Sequence, residues 1–265
     1  MSTYTICVTN QKGGVGKTTT AVNLAAGLAR EGAETLLIDL DPQANATSGL
    51  GIDPRRQTRS IYHALLGFRG LADLRIPVPG TDGLSVIPAN QDLFGADVEL
   101  VDAIAREHRL REALSALSQP PRFVVIDCPP SLNLLTINAL SAASSALIPL
   151  QCEYYALEGL SQLTQTVQLI QRRLNPRLRI EGILLTMFDR RNNLSHQVAA
   201  EARRHFGHQV FDIVIPRNVR LSESPSFGKS IYAYDRQSRG ARAYQSLAQC
   251  ILGRYPNQPL GEQKP

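Results

Sequence analysis

The sequence predicts an α/β fold, a doubly wound and mostly parallel sheet with helices on both faces. Three observations carry that expectation. Short apolar runs recur along the chain, and they are nearly continuous rather than alternating, as strands buried on both faces read. Helical patterns fill the intervals between the runs, which is the order of a parallel sheet with crossover helices. A glycine-rich turn separates the first run from the first helical stretch.

The strand candidates are Tyr4–Thr9, Thr35–Leu40, Leu84–Ile87, Phe123–Asp127, Ala146–Leu150, Ile180–Met187 and Val210–Ile215. Between them, Thr18–Arg30 reads as a helix stopped by Gly32, and Tyr155–Leu174 as another. In the second, Leu160, Leu163, Val167, Ile170 and Leu174 recur at alternating three- and four-residue steps. That stripe is expected to pack on the sheet, because the repeat is too short for a coiled-coil seam. No internal repeat or low-complexity linker interrupts the order. Residues 1–253 are expected to form a single domain. Residues 254–265 are polar and contain proline, so they are expected to be a flexible tail.

With 265 residues, 43% hydrophobic and 19% charged, the composition is that of a globular protein with a sizeable core. No run of about 18 apolar residues exists, so no transmembrane helix is expected. The N-terminus MSTYTICV lacks a basic region and a long apolar stretch, so export is not expected either. The four cysteines, Cys7, Cys128, Cys152 and Cys250, form no CxxC pair, and we expect free thiols in a reducing cytoplasm. The formal net charge is +5, unevenly placed: Ile170–Arg242 holds fourteen Lys and Arg against six Asp and Glu. A solvated surface would account for this, and so would a basic face for a polyanion.

The turn reads KGGVGKTT, residues 12–19. It follows a strand and opens a helix, the context a phosphate-binding loop requires. Gly13, Gly14 and Gly16, with Val15 among them, let backbone N–H groups close around phosphate oxygens. The helix adds its positive N-terminal end. Lys17 is expected on the β- and γ-phosphates of ATP, Thr18 on Mg²⁺, and Thr19 on the α-phosphate side. Gln11 stands where the usual pattern has its first glycine, which makes this the deviant Walker A form. The second lysine, Lys12, is then unexplained by its own loop. A short turn does not easily fold two ammonium groups onto one phosphate, so Lys12 is expected to reach the nucleotide of another subunit.

Carboxylates complete the expected site. Asp39 and Asp41, in IDLDPQ, lie at the carboxyl end of the second strand, where open α/β sheets bind ligands. Asp41 is the candidate for orienting the attacking water and Asp39 for supporting Mg²⁺. Asp127 ends the apolar run FVVID, the Walker B pattern, and is expected to hold a water on the metal. These loops hold no strong base, so hydrolysis is expected to be slow. A rate of about 10⁻³ per second corresponds to a barrier of roughly 21 kcal/mol.

The loop, together with DPQANATSGLG, CPPSLNLLTINAL, QCEYYALEGLSQL, LLTMFDRR and VIPRNVRLSESPSFGKSI, resembles the ParA/Soj family of partitioning ATPases over nearly the whole chain. The resemblance implies an ATP-bound sandwich homodimer in which Lys12 acts in trans, much as an arginine finger does. It implies that Pro216 and Asn218 contact adenine, and that Arg191 and Arg220 bind double-stranded DNA without sequence preference. It also implies a ParB-like centromere-binding partner that stimulates hydrolysis, and a cytoplasmic, nucleoid-associated location. Only three residues precede the first strand, so no N-terminal helix-turn-helix is expected. A MinD-like membrane-positioning ATPase shares the loop, but needs a basic amphipathic C-terminal helix that RYPNQPLGEQKP does not supply. An iron-protein-type reductase also shares it, but needs cluster cysteines in a glycine-rich setting that Cys128 and Cys152 lack.

Overall fold

In the computed structural model, which describes residues 3–153 and 156–256, the chain builds one eight-stranded sheet. The strands are β1 (Tyr4–Val8), β2 (Thr35–Asp39), β3 (Ile76–Pro77), β4 (Leu84–Ile87), β5 (Phe123–Asp127), β6 (Ser145–Gln151), β7 (Arg179–Phe188) and β8 (Val210–Pro216). Their spatial order is β3-β4-β2-β5-β1-β6-β7-β8. Every pairing is parallel except β3 with β4. The edge strand β3 escapes the sequence reading because two residues, one of them proline, carry no periodicity. Proline is tolerated there because an edge leaves one side of the strand unpaired.

The principal helices are α1 (Lys17–Arg30), α2 (Asn45–Gly49), α3 (Leu134–Ala142), α4 (Ala156–Arg173), α5 (Asn193–Phe206), α6 (Val219–Glu223) and α7 (Arg239–Arg254). The expected helix Tyr155–Leu174 is α4; Tyr155 itself lies outside the described residues. Successive strand side chains alternate between two apolar layers. Leu36, Ile38, Val124, Ile126, Ile148 and Leu185 join one core with residues of α3, α4 and α5. Ile6, Val8, Leu37, Val125, Leu147 and Leu184 join the other with α1 and α7. Both faces are therefore covered, which is why the strands read as unbroken apolar runs. All four cysteines are free.

Helix α1 packs against its neighbours in the same layer, α7 among them, at Gly27. A Cβ there would sit 2.6 Å from the Tyr232 hydroxyl and 3.0 Å from the Ala248 side chain. Gly27→Val is therefore expected to destabilise the fold by about 2–3 kcal/mol through overpacking. Chemical denaturation checks this; an unchanged midpoint would show that the contact is slack.

The expected fraying after Gly253 does not begin there. The Arg254 guanidinium donates to Glu181 at 2.9 Å, and Arg122 donates to the Tyr255 carbonyl at 2.7 Å. The Tyr255 ring packs against Tyr4 with centroids 4.2 Å apart. These partners come from distant strands, so composition alone gave no sign of them. Residues 257–265 lie outside the described residues.

Candidate functional site

The loop between β1 and α1 is shaped by its glycines. Gly14 and Gly16 take φ of 75° and 86°, a region that disfavours any side chain. A Cβ at Gly13 or Gly14 would meet nothing within 4 Å, so the space above the loop is open to a ligand. The N-terminus of α1 has no side-chain cap and no acidic residue in its first turn. Its free N–H groups and the positive end of the helix dipole are left for an anion. The loop is held from beneath: Thr186 donates to the Val15 carbonyl at 2.8 Å, and Asn10 donates to the Pro149 carbonyl at 2.7 Å.

The two loop lysines differ. Lys17 is buried and donates to the Lys12 carbonyl at 2.9 Å. Burial lowers its pKa, against the opposing charges of Asp127 and Asp41. Lys12 is half-exposed and pairs with Glu153, whose other oxygen accepts from Gln151. Glu153 was not singled out in the sequence; it lies 141 residues away and carries no motif.

The carboxylates separate by what they already bind. Asp39 is fully buried and its oxygens are in use: it accepts from the Asp41 N–H at 3.2 Å, the Thr47 N–H at 2.8 Å and the Thr47 hydroxyl at 2.7 Å. Besides the metal support expected of it, Asp39 therefore fixes the loop that carries Asp41. Asp41 accepts from the Gln43 N–H at 2.9 Å through one oxygen. Asp127 is also fully buried, yet neither of its oxygens has a hydrogen-bond partner.

An orphaned buried carboxylate is costly, and a cation is what would satisfy it. Asp127 lies near Thr18, Lys17 and Asp39. That donor set fits Mg²⁺, which takes one or two protein oxygens and completes its shell with water and phosphate. Among the described residues no group of three or more His, Cys, Asp or Glu is arranged as a metal cage, so the phosphates would have to supply the rest.

Burial lifts the pKa of Asp39 to about 6, opposed by the Thr47 hydrogen bonds and reinforced by the charge of Asp41. Burial and then the charge of Asp39 push Asp127 well above the usual carboxylate range; the charge of Lys17 opposes this. A pKa raised in the folded state gives stability present below the unfolded value and lost as pH rises through the folded one. For Asp39 the loss is on the order of 3 kcal/mol between about pH 4 and pH 6. The nucleotide-free protein is thus expected to lose stability across that window. Asp127→Asn is expected to make it more stable at neutral pH while abolishing the response to Mg²⁺. Denaturation midpoints measured against pH check both; an Asp127→Asn protein less stable than wild type at pH 7.5 would contradict the assignment.

Beside the loop lies a cavity of about 590 Å³, lined in part by Gly16, Thr19, Glu153, Met187, Asp189, Pro216, Arg217 and Asn218. Asn218 caps α6, its carbonyl oxygen accepting from the Arg220 N–H at 2.8 Å, so its side-chain position is fixed. A second groove of about 1050 Å³ shares Asp189, Pro216, Arg217 and Asn218 with that cavity, and adds Arg190, Arg191, Arg239 and Arg242. The sequence singled out Arg191, but not Arg217, Arg239 or Arg242, although all four fall in the basic stretch. Arg220 is not among the groove's lining residues. Its guanidinium pairs with Glu223 at 3.0 Å and Asp235 at 3.5 Å.

The parallel sheet, the uncapped glycine loop and the orphaned Walker B carboxylate define a P-loop ATPase of the deviant Walker A class. The AAA domain family matches residues 3–180. The chain is 58% identical over 249 residues to the chromosome partitioning protein ParA of Myxococcus xanthus, covering 94% of this chain and 88% of that one. It is 56% identical over 243 residues to the sporulation initiation inhibitor protein Soj of Bacillus subtilis, covering 92% and 96%. Among solved structures, the cobyrinic acid a,c-diamide synthase of Mycobacterium smegmatis with bound ADP and magnesium superposes with a TM-score of 0.84 at 36% identity, covering 95% and 94%. The chain belongs to the ParA/Soj family of chromosome-partitioning ATPases.

Proposed function

We propose that this ATPase moves DNA cargo by cycling between an ATP-bound homodimer that grips double-stranded DNA and a released state that follows hydrolysis. The observation that carries this reading is the shared wall between the two cavities. Pro216, Arg217 and Asn218 border both the space beside the phosphate loop and the arginine groove. A nucleotide seated against them acts directly on the surface that meets DNA. The groove offers cations without a base-reading element, which suits phosphate contacts and sequence-blind binding.

In the site, Lys17, the loop amides and the helix N-terminus hold the triphosphate. Thr18 and Asp127 would hold Mg²⁺, which would supply charge neutralisation at the phosphates. Asp41, placed by Asp39 and Thr47, orients the attacking water. Pro216 and Asn218 meet the adenine. Lys12 leaves Glu153 and crosses to the nucleotide of the second subunit. Its present ion pair is nearly half-exposed on both sides, so it restrains Lys12 by no more than about 1 kcal/mol. A ParB-like partner raises the slow intrinsic rate and ends the DNA-bound phase on the nucleoid.

Sizing the protein with and without Mg²⁺-ATP tests this. The wild type is expected to double its mass only with ATP. Lys12→Ala is expected to stay monomeric while still binding ATP. A Lys12→Ala protein that dimerises and hydrolyses ATP normally would overturn the role in trans.

A further inference from the structure

The parallel strands β1, β6 and β7 start together at the end of the sheet opposite the phosphate loop. A groove of about 1030 Å³ opens at that starting end, against Thr5 of β1, Arg179 of β7 and Ser144, which precedes β6. Its size suits a small organic ligand. It shares no lining residue with the cavity beside the phosphate loop or with the arginine groove. Open α/β sheets bind their substrates at the carboxyl ends of the strands, so this groove is separate from the ATPase site.

One side of the groove is cationic. Arg111 reaches it from the short helix Arg109–Ser115, Arg177 from the turn after α4, and Arg179 from the first position of β7. Among the described residues no Asp or Glu lines the groove, and none of these three arginines is in an ion pair. A fourth arginine, Arg254, is already engaged by the buried Glu181 at 2.9 Å. The Arg179 guanidinium lies over the Tyr255 ring, 5.0 Å from its centroid, which orients its donors. Leu114, Leu117 and Pro120 form an apolar wall.

A buried polar group belongs to the same space. Ser141, in the last turn of α3, lines the groove and is 1% exposed, and its hydroxyl has no hydrogen-bond partner. A helical serine often satisfies that hydroxyl on the carbonyl four residues back, and Ser141 does not. An unpartnered buried donor costs about 1–3 kcal/mol, and an acceptor brought by a ligand would satisfy it. The carbonyls ending α3 do not stand against an anion. The Asn175 amide donates to those of Leu140 and Ala143, at 2.9 and 2.7 Å.

We propose that this groove binds an organic phosphate ester. Arg111, Arg177 and Arg179 meet the phosphate oxygens, Ser141 donates to one of them, and Leu114 and Leu117 receive the apolar body of the ligand. A guanidinium is weakly hydrated and its planar fork matches phosphate geometry, so three of them without counter-ions select a doubly charged phosphate. The apolar wall selects a small molecule over a duplex, whose phosphate backbone has no apolar body to bury. Binding here requires neither DNA nor an occupied phosphate loop.

The test is calorimetric titration of the full chain with 1-naphthyl phosphate, with the phosphate loop kept saturated by Mg²⁺-ADP. The wild type is expected to bind, and 1-naphthol, which lacks the phosphate, is expected not to. Arg111→Glu/Arg177→Glu is expected to bind at least about tenfold more weakly. Both side chains are exposed, so unchanged melting of this variant separates lost binding from misfolding. Ser141→Ala is expected to weaken binding about tenfold without lowering the melting temperature, because it removes an unsatisfied donor. No binding by the wild type, equal affinity of the wild type and the double variant, or equal binding of 1-naphthol would overturn the proposal. So would a double variant that keeps 1-naphthyl phosphate but loses DNA retention, which would give these arginines to the duplex. Each of these failures leaves the ATP-driven cycle standing, since the phosphate loop is occupied throughout.

Discussion

Lys17→Ala is expected to lower ATP affinity by about 100- to 1000-fold, equivalent to roughly 3–4 kcal/mol. The amine is buried at the floor of the loop, where burial already weakens its hold on its proton. A triphosphate brings negative charge into that space and restores the cation's preference for the charged form. Charge-assisted hydrogen bonds to phosphate are each worth about 1.5–3 kcal/mol, and Lys17 is expected to reach two phosphates. The free amine now satisfies the Lys12 carbonyl at 2.9 Å, so its removal also loosens the loop that must cradle the ligand. Thermal unfolding with saturating nucleotide is the direct measurement. The wild type should gain about 2.7 kcal/mol at a hundredfold excess over Kd, and the variant almost nothing at the same concentration. A variant that gains as much as the wild type would remove Lys17 from the nucleotide site.

Arg239→Glu/Arg242→Glu is expected to abolish DNA retention at physiological salt while ATP binding survives. Both residues line the arginine groove on α7, and neither lines the cavity beside the phosphate loop. Salt dependence measures how many arginines take part. Two per protomer in a dimer neutralise about four phosphates, which gives a slope of about −3.6 in log K against log salt. All five groove arginines in both protomers would give a slope of about −9. A value between the two is expected for the wild type, and a much shallower one for the double variant. Arg220→Glu is also expected to weaken retention, as the family resemblance implies. Its effect should be smaller than that of the double variant, because Glu223 and Asp235 already draw the Arg220 guanidinium to themselves. An Arg239→Glu/Arg242→Glu protein that binds DNA as the wild type does, while Arg220→Glu does not, would return the interface to α6.

What the sequence disclosed and what it withheld divide along the range of the interactions. The α/β architecture was legible because each central strand is buried on both faces and so reads as an apolar run. The phosphate loop was legible because its conformation is local: Gly14 and Gly16 need positive φ, and the loop sits directly between a strand and a helix. The positions of Asp39, Asp41 and Asp127 at strand ends were legible for the same reason. Their division of labour was not. That Asp39 spends its oxygens on Thr47 and the Asp41 N–H while Asp127 has none engaged depends on how a loop folds back, which spacing does not encode. Glu153 beside Lys12 joins two loops that meet only because β1 and β6 are neighbours in the sheet. Arg239 and Arg242 were counted as charge but not placed, because α7 reaches the loop after β8 only in three dimensions. The two-residue strand β3 was invisible because its pairing with β4 comes from geometry rather than pattern.

A structure of the protein with Mg²⁺ and a slowly hydrolysed ATP analogue tests the central claim most directly. The account predicts two protomers face to face, with the Lys12 amine detached from Glu153 and within hydrogen-bond distance of the other protomer's phosphates. A nucleotide-loaded protein in which Lys12 still pairs with Glu153, far from any second nucleotide, would contradict it.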